Sequence, residues 1–199
     1  MTNICRILPI LLMIAGTAVP ALAGPTVVVL DPGHGGRDRG AKWGGVSEKT
    51  LTLSIARKVE SHLKARGIRT AMTRRSDVTR SLSSRAATAN GYGKSVFVSI
   101  HCNADPRQAA RGIETFYSGS SGRRLAGSIQ GILDARTSTP DRGIKFSRFT
   151  VLRCTKCPAA LVECGFLSSQ SERRLLTTSI YQERIARAIA DGIVRALPR

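Results

Sequence analysis

Apolar positions along this chain follow two spacings. Val27-Val28-Val29-Leu30 is an unbroken, largely β-branched run, which predicts a strand over Thr26–Leu30 buried on both faces. It stops at Asp31-Pro32-Gly33, and glycines then surround His34. A second loop runs from Gly40 to Val46. Leu51, Ile55, Val59 and Leu63 recur every four residues, the stripe of a helix that Ser47 would cap and Gly67 would end. A short strand over Ile68–Met72 and a helix over Leu82–Asn90 follow. Ser95–Ile100 reads as another buried strand, ending at His101. Ile113–Tyr117 is a strand and Arg123–Arg136 a helix with Leu125, Ile129, Ile132 and Leu133 inward. The pattern predicts a loop over Thr137–Ser147, an edge strand over Phe149–Leu152, and a strand over Ala159–Val162 that ends at Glu163. Two helices close the chain, near Ser171–Leu176 and Ser179–Leu197, the last with Tyr181, Ile185, Ile189 and Ile193 on one face. Strands alternating with helices predict an α/β fold, a mainly parallel twisted sheet flanked by helices on both faces. No repeat, low-complexity tract or linker divides it, so one domain is expected over 24–199.

The first 23 residues read differently. Arg6 is their single charge, an apolar run extends from Ile7 to Val19, and Ala21-Leu22-Ala23 sets small residues before a cut. That is the pattern of a secretory signal peptide over 1–23, the run being short of the ~20 residues of a membrane span. The expected location is the periplasm or the cell exterior, with no transmembrane segment left after processing.

Charge narrows the partners. The 199 residues carry 31 Lys and Arg against 13 Asp and Glu, a formal net charge of +18. A secreted protein this basic is drawn to anionic polymers. Its arginines (Arg57, Arg66, Arg74, Arg123 and Arg174 among them) are scattered, and three Tyr and one Trp make a poor base-stacking platform. Anionic envelope polymers are therefore the expected partners, nucleic acid is not, and a monomer is expected. Cys102, Cys154, Cys157 and Cys164 remain after processing. Cys154-x-x-Cys157 suits a local disulfide. Cys102 and Cys164 each follow a strand-end residue and so point away from it. They either pair, if their strands are neighbours, or stand as two buried thiols.

Two histidines at strand ends, His34 and His101, together with Glu48 at a helix start and Glu163 at a third strand end, suggest chemistry. Two imidazoles and one carboxylate form a ligand set for catalytic zinc, and a second carboxylate then serves as base and acid. No H-E-x-x-H, phosphate loop or G-x-S-x-G elbow is present.

Taken together, the stretches Val-Val-Leu-Asp-Pro-Gly-His-Gly-Gly at 28–36, Ser-Glu-Lys at 47–49, Thr-Arg-Arg-Ser-Asp at 73–77, Phe-Val-Ser-Ile-His-Cys-Asn-Ala at 97–104, Arg-Gly-Ile-Glu-Thr-Phe-Tyr at 111–117 and Leu-Val-Glu-Cys-Gly-Phe-Leu-Ser at 161–168 make the chain resemble the zinc-dependent N-acetylmuramoyl-L-alanine amidases of the amidase 3 type. The resemblance implies Zn2+ held by His34, Glu48 and His101, with Glu163 catalytic. It implies peptidoglycan as substrate, cut at the amide between N-acetylmuramic acid and the L-alanine of the stem peptide. Leu82, Arg85 and Ala89-Asn90 match as well, and Arg85 and Asn103 are expected to bind substrate. Some relatives carry an extra helix that plugs the site, and the residues between His101 and Glu163 leave no room for one, so an open site is expected. The competing readings are a zinc peptidase acting on the stem peptide and a wall-binding protein without catalysis.

Overall fold

The computed structural model describes residues 26–198; the leader expected over 1–23 lies outside the described residues. Six strands form one sheet: β1 (Val27–Pro32), β4 (Thr70–Met72), β5 (Ser95–Asn103), β6 (Ile113–Tyr117), β7 (Asp141–Phe146) and β8 (Ala159–Phe166), in the spatial order β4-β1-β5-β8-β6-β7. β4, β1, β5 and β8 run parallel; β6 turns antiparallel to β8, and β7 pairs parallel with β6. Side chains alternate between the two faces. Val28, Leu30, Val98, Ile100 and Val162 meet α1 (Glu48–Lys64), α3 (Gly119–Arg136) and α6 (Ser179–Ala196) on one side. Val27, Val29, Phe97 and Leu161 meet the smaller α2 (Leu82–Asn90) and α4 (Thr150–Arg153) on the other. The expected mainly parallel sheet with helices on both faces is what forms.

α1 buries Leu51, Ile55, Val59 and Leu63, the stripe read from spacing. Ser47 is its N-cap residue but makes no side-chain cap bond; its Oγ donates instead to the Arg39 carbonyl. Gly67, at φ 72°, turns the chain out of the helix. α5 (Gln170–Leu176) and α6 follow closely on the last strand, as the pattern predicts.

Three local expectations are corrected. The segment 137–147, read as loop, contains edge strand β7, whose glycine and alternating charges hide its periodicity. The expected edge strand at 149–152 is the single helical turn α4, because four residues do not separate a strand from a helix. The loop from Gly40 to Val46 holds a small hairpin, β2 (Lys42–Trp43) with β3 (Val46–Ser47), turned by Gly44 and Gly45 at φ 54° and 78°.

A clamp between the buried Glu60 carboxylate and the exposed Arg75 guanidinium ties α1 to the sheet's edge. Arg75 donates to both carboxylate oxygens of Glu60 (2.9 and 2.6 Å), while Lys64 pairs with Oε1 at 3.2 Å and Thr70 donates at 3.1 Å. Chiefly through Arg75, the Glu60 pKa falls from 4.5 to about 2. A lowered pKa means stability that is full above the unfolded value and lost as pH drops through the folded one. Glu60→Gln is therefore expected to cost about 1 kcal/mol in urea melts at pH 7 and progressively less below pH 4.

Candidate metal centre and active site

Strand β1 delivers the first site residue through a strained turn. His34 sits at φ 59°, a left-handed value that non-glycine residues seldom adopt, and Gly35 and Gly36 follow at 126° and 60°. Buried donors hold this shape. The Pro32 carbonyl accepts from Arg74 Nε (3.0 Å) and Arg85 Nη1 (2.7 Å); that of Gly33 accepts from Arg74 Nη2 and Thr52 Oγ1 (both 2.8 Å); that of His34 accepts from Arg85 Nη2 (2.6 Å). Beneath the turn, the buried carboxylate of Asp31 accepts from Arg85 Nη1 at 2.7 Å, Thr73 Oγ1 at 2.5 Å and Ser99 Oγ at 2.7 Å.

These contacts correct two sequence readings. Arg74, counted among the scattered surface charges, is fully buried under the His34 loop. Arg85, expected at the substrate, is also buried, and its guanidinium is committed to Asp31 and to backbone carbonyls. Its geometry makes it a brace for the loop. Both stand in stretches that carry the family resemblance, but no local pattern gives their role as braces, since the loop they serve is assembled from distant segments.

His34, Glu48 and His101 converge. Each offers one ligand atom, and the three atoms lie within 4.8 Å of one another. His34 Nε2 is 3.0 Å from Glu48 Oε2, and His101 Nδ1 is 3.0 Å from Glu48 Oε1. The two rings stand edge to face with centroids 4.9 Å apart. Asp38 Oδ2 lies 2.8 Å from His34 Nδ1 and so fixes that ring with Nε2 turned inward. Glu48, at the start of α1, is oriented by the Ala41 amide (2.9 Å to Oε2) and the Cys102 amide (3.1 Å to Oε1).

The glycines around this cluster serve the rings. A Cβ on Gly33 would lie 2.3 Å from the His101 ring, and one on Gly40 would lie 2.5 Å from Glu48 Oε2 and 2.6 Å from the His34 ring. The donors thus pack directly on bare backbone.

Electrostatics mark the cluster as a place for a cation. Burial disfavours the Glu48 carboxylate, yet the hydrogen bonds from His101 and His34 outweigh it and hold its pKa far below the ordinary value. Burial likewise opposes charge on His34, and Glu48 and Asp38 together overcome it, raising that pKa. Three electron-pair donors facing one point, with a carboxylate among them, fit a divalent metal of the zinc type.

Glu163 stands beside His101 in the β5–β8 ladder. Its Oε2 is sealed from solvent and has no hydrogen-bond partner among the described residues. Burial first, and then the charge of Glu48, raise its pKa well above 4.5. Asn103, at the end of β5, donates from Nδ2 to Glu114 at 2.7 Å. Cys102 and Cys164 lie on neighbouring strands and point into the helix-covered core, as alternation predicts; these two, like Cys154 and Cys157, are free thiols.

Comparison with known proteins places this arrangement. The family described as N-acetylmuramoyl-L-alanine amidase matches residues 28–195. The N-acetylmuramoyl-L-alanine amidase LytC of Bacillus subtilis is 37% identical over 177 residues, covering 87% of this chain and 36% of that protein. The chain thus spans about a third of that relative's length. Among solved structures, the catalytic domain of CwlV, an N-acetylmuramoyl-L-alanine amidase from Bacillus (Paenibacillus) polymyxa, superposes with a TM-score of 0.83 at 39% identity, covering 85% of this chain and 97% of that one. The amidase AmiC2 of Nostoc punctiforme matches with a TM-score of 0.83 at 36% identity, over 87% of this chain and 97% of that one.

Proposed function

The chain belongs to the N-acetylmuramoyl-L-alanine amidase family, and from that premise we propose that it hydrolyses the amide between N-acetylmuramic acid and the L-alanine of the peptidoglycan stem peptide. The observation that carries the reading is the meeting of His34, Glu48 and His101 beside the sealed, partnerless Oε2 of Glu163. In this reading His34, Glu48 and His101 hold zinc. Zinc bound there supplies a Lewis acid for the amide carbonyl and makes water more acidic.

The remaining work falls to the chain's own groups. The Glu163 carboxylate takes a proton from the attacking water and returns it to the alanine nitrogen as the amide breaks. Its raised pKa suits both halves of that cycle, since the carboxyl holds a proton readily and gives it up to an amine. Asp38 keeps the His34 ring in one orientation throughout. Arg74 and Arg85 keep the loop carbonyls still, so the donors do not need to be reorganised when substrate arrives.

The same reading includes a leader that carries the chain to the envelope and a basic surface that holds it on anionic wall polymers. The segment between His101 and Glu163 is used for ordinary packing: α3 lies against α6 and β6, and α4 against α2. An open site follows, so the processed chain is expected to digest purified peptidoglycan with no added protein. Mass analysis of the products is expected to show free stem peptides with an N-terminal alanine, lost on chelation and restored by zinc. Cuts within the peptide or in the glycan would overturn the reading.

A further inference from the structure

Glu114 is the residue paired with Glu163 across the β6–β8 ladder, so both side chains stand on the same face of the sheet. It is 3% exposed. Its Oε1 accepts from Asn103 Nδ2 at 2.7 Å, and its Oε2 accepts from Arg142 Nε at 3.0 Å and from Lys145 Nζ. Two cations therefore meet one buried carboxylate, which leaves a positive charge in excess next to Glu163.

That excess is presented outward. The side chain of Arg142 is 35% exposed and that of Lys145 is 41% exposed. Only the Nε of Arg142 is engaged with Glu114; Nη1 reaches the Arg111 carbonyl at 3.4 Å, and Nη2 has no partner among the described residues. The Arg142 stem lies on bare Gly112 (φ 113°), where a Cβ would come within 2.9 Å of it, and its guanidinium sits 5.1 Å from the Phe166 ring centroid. The guanidinium is thus held in place on one edge and free on another. A planar fork beside an ammonium matches a carboxylate.

The surroundings are open on this side. The helix packed on β6 and β7 is α3, which lies on the opposite face; α2 and α4 cover β1, β5 and β8. Beyond Glu114 the same face continues as Phe116, which meets Phe149 edge to face at 5.1 Å. A substrate whose scissile amide lies at Glu163 must extend one of its halves over this floor.

Chemistry says which half. The carboxyl of the muramyl lactyl group is consumed in the amide, and the N-acetylated sugars are neutral. Free carboxylates lie on the peptide side. We propose that Arg142 and Lys145, positioned by Glu114, form a subsite beside Glu163 for a free carboxylate of the peptide half of the substrate. The proposal rests on the amidase reading above and adds an orientation to it: peptide over β6 and β7, glycan on the far side of the donor cluster.

The test uses zinc-loaded enzyme and two matched N-acetylmuramoyl peptides, one with its peptide carboxylates free and one with them amidated. The wild type is expected to favour the free acid about tenfold in kcat/KM, the worth of one charge-assisted contact, with the difference in KM. In R142Q, K145M and the double variant, that preference should fall toward one through a higher KM for the acid. Glu114→Gln should lower it by the same route, since both cations lose their anchor. A wild-type measurement guards against misfolded variants: the released peptide is expected to inhibit about tenfold more weakly once amidated. Equal kcat/KM for the two substrates in the wild type, or variants that lower kcat on both and leave the preference intact, would overturn the subsite while leaving the amidase reading standing. Failure to cut either substrate at the muramyl–alanine bond would overturn both.

Discussion

Replacing Glu163 with glutamine is expected to slow amide hydrolysis about 10³-fold, the span a positioned general base commonly supplies, while the metal-free protein becomes more stable. The amide keeps the shape and removes the proton traffic at the carboxyl group. It also removes the buried charge, because the Glu163 carboxyl has no partner for Oε2 and its pKa is raised by burial and by Glu48. The sign of the stability effect follows. A raised carboxyl pKa costs nothing below the ordinary value of 4.5, where folded and unfolded chains are both protonated, and becomes a penalty as pH climbs past it. Thermal melts of chelator-treated protein should therefore show no advantage for E163Q at pH 4 and a gain of about 2–4 °C at pH 8, the shift that 1 kcal/mol gives a domain of this size. Loss of activity together with a lower melting point at pH 8 would assign Glu163 to structure and not to proton transfer.

The second large effect lies outside the reacting atoms. Arg85→Met is expected to destabilise the protein by about 3–5 kcal/mol, lowering its melting temperature by roughly 10 °C, because breaking one side of a buried ion pair strands the other. Asp31 would keep Thr73 and Ser99 as donors but lose its countercharge, the Pro32 carbonyl would keep only Arg74 Nε, and the His34 carbonyl would lose Arg85 Nη2. Asp31→Asn added to Arg85→Met should recover part of the loss, since the stranded charge is gone. Denaturant titration of the three variants measures the coupling. Independent, additive costs would show that the pair is not the source.

Much of this was legible in the sequence, and the remainder was not for reasons of range. β1, α1, α2 and β6 are announced by their own residues: a β-branched run, a four-residue stripe, a serine cap. His34 and His101 stand out because each follows an apolar strand, and Glu48 because it opens a helix. Edge strand β7 and the one-turn α4 are too short or too polar to have a period. The parts played by Asp31, Arg74, Arg85 and Glu114 depend on partners 10 to 70 positions away, which no local pattern encodes. Glu114 sits in plain view in Arg-Gly-Ile-Glu-Thr-Phe-Tyr, yet only the antiparallel pairing of β6 with β8 shows that it faces Glu163.

The place of β8 in the sheet also orders events in time. His34, Glu48 and His101 all belong to segments that end by Asn103, whereas Glu163 arrives about sixty residues later on the last strand of the chain, which then lodges between β5 and β6. A chain folding from its N-terminus completes its three donors first. Insertion of a central strand across so long a loop comes late, because closing the loop costs entropy before any contact repays it. The donor cluster is therefore assembled on the first half of the sheet, and Glu163 joins it only when β8 fills the gap between β5 and β6.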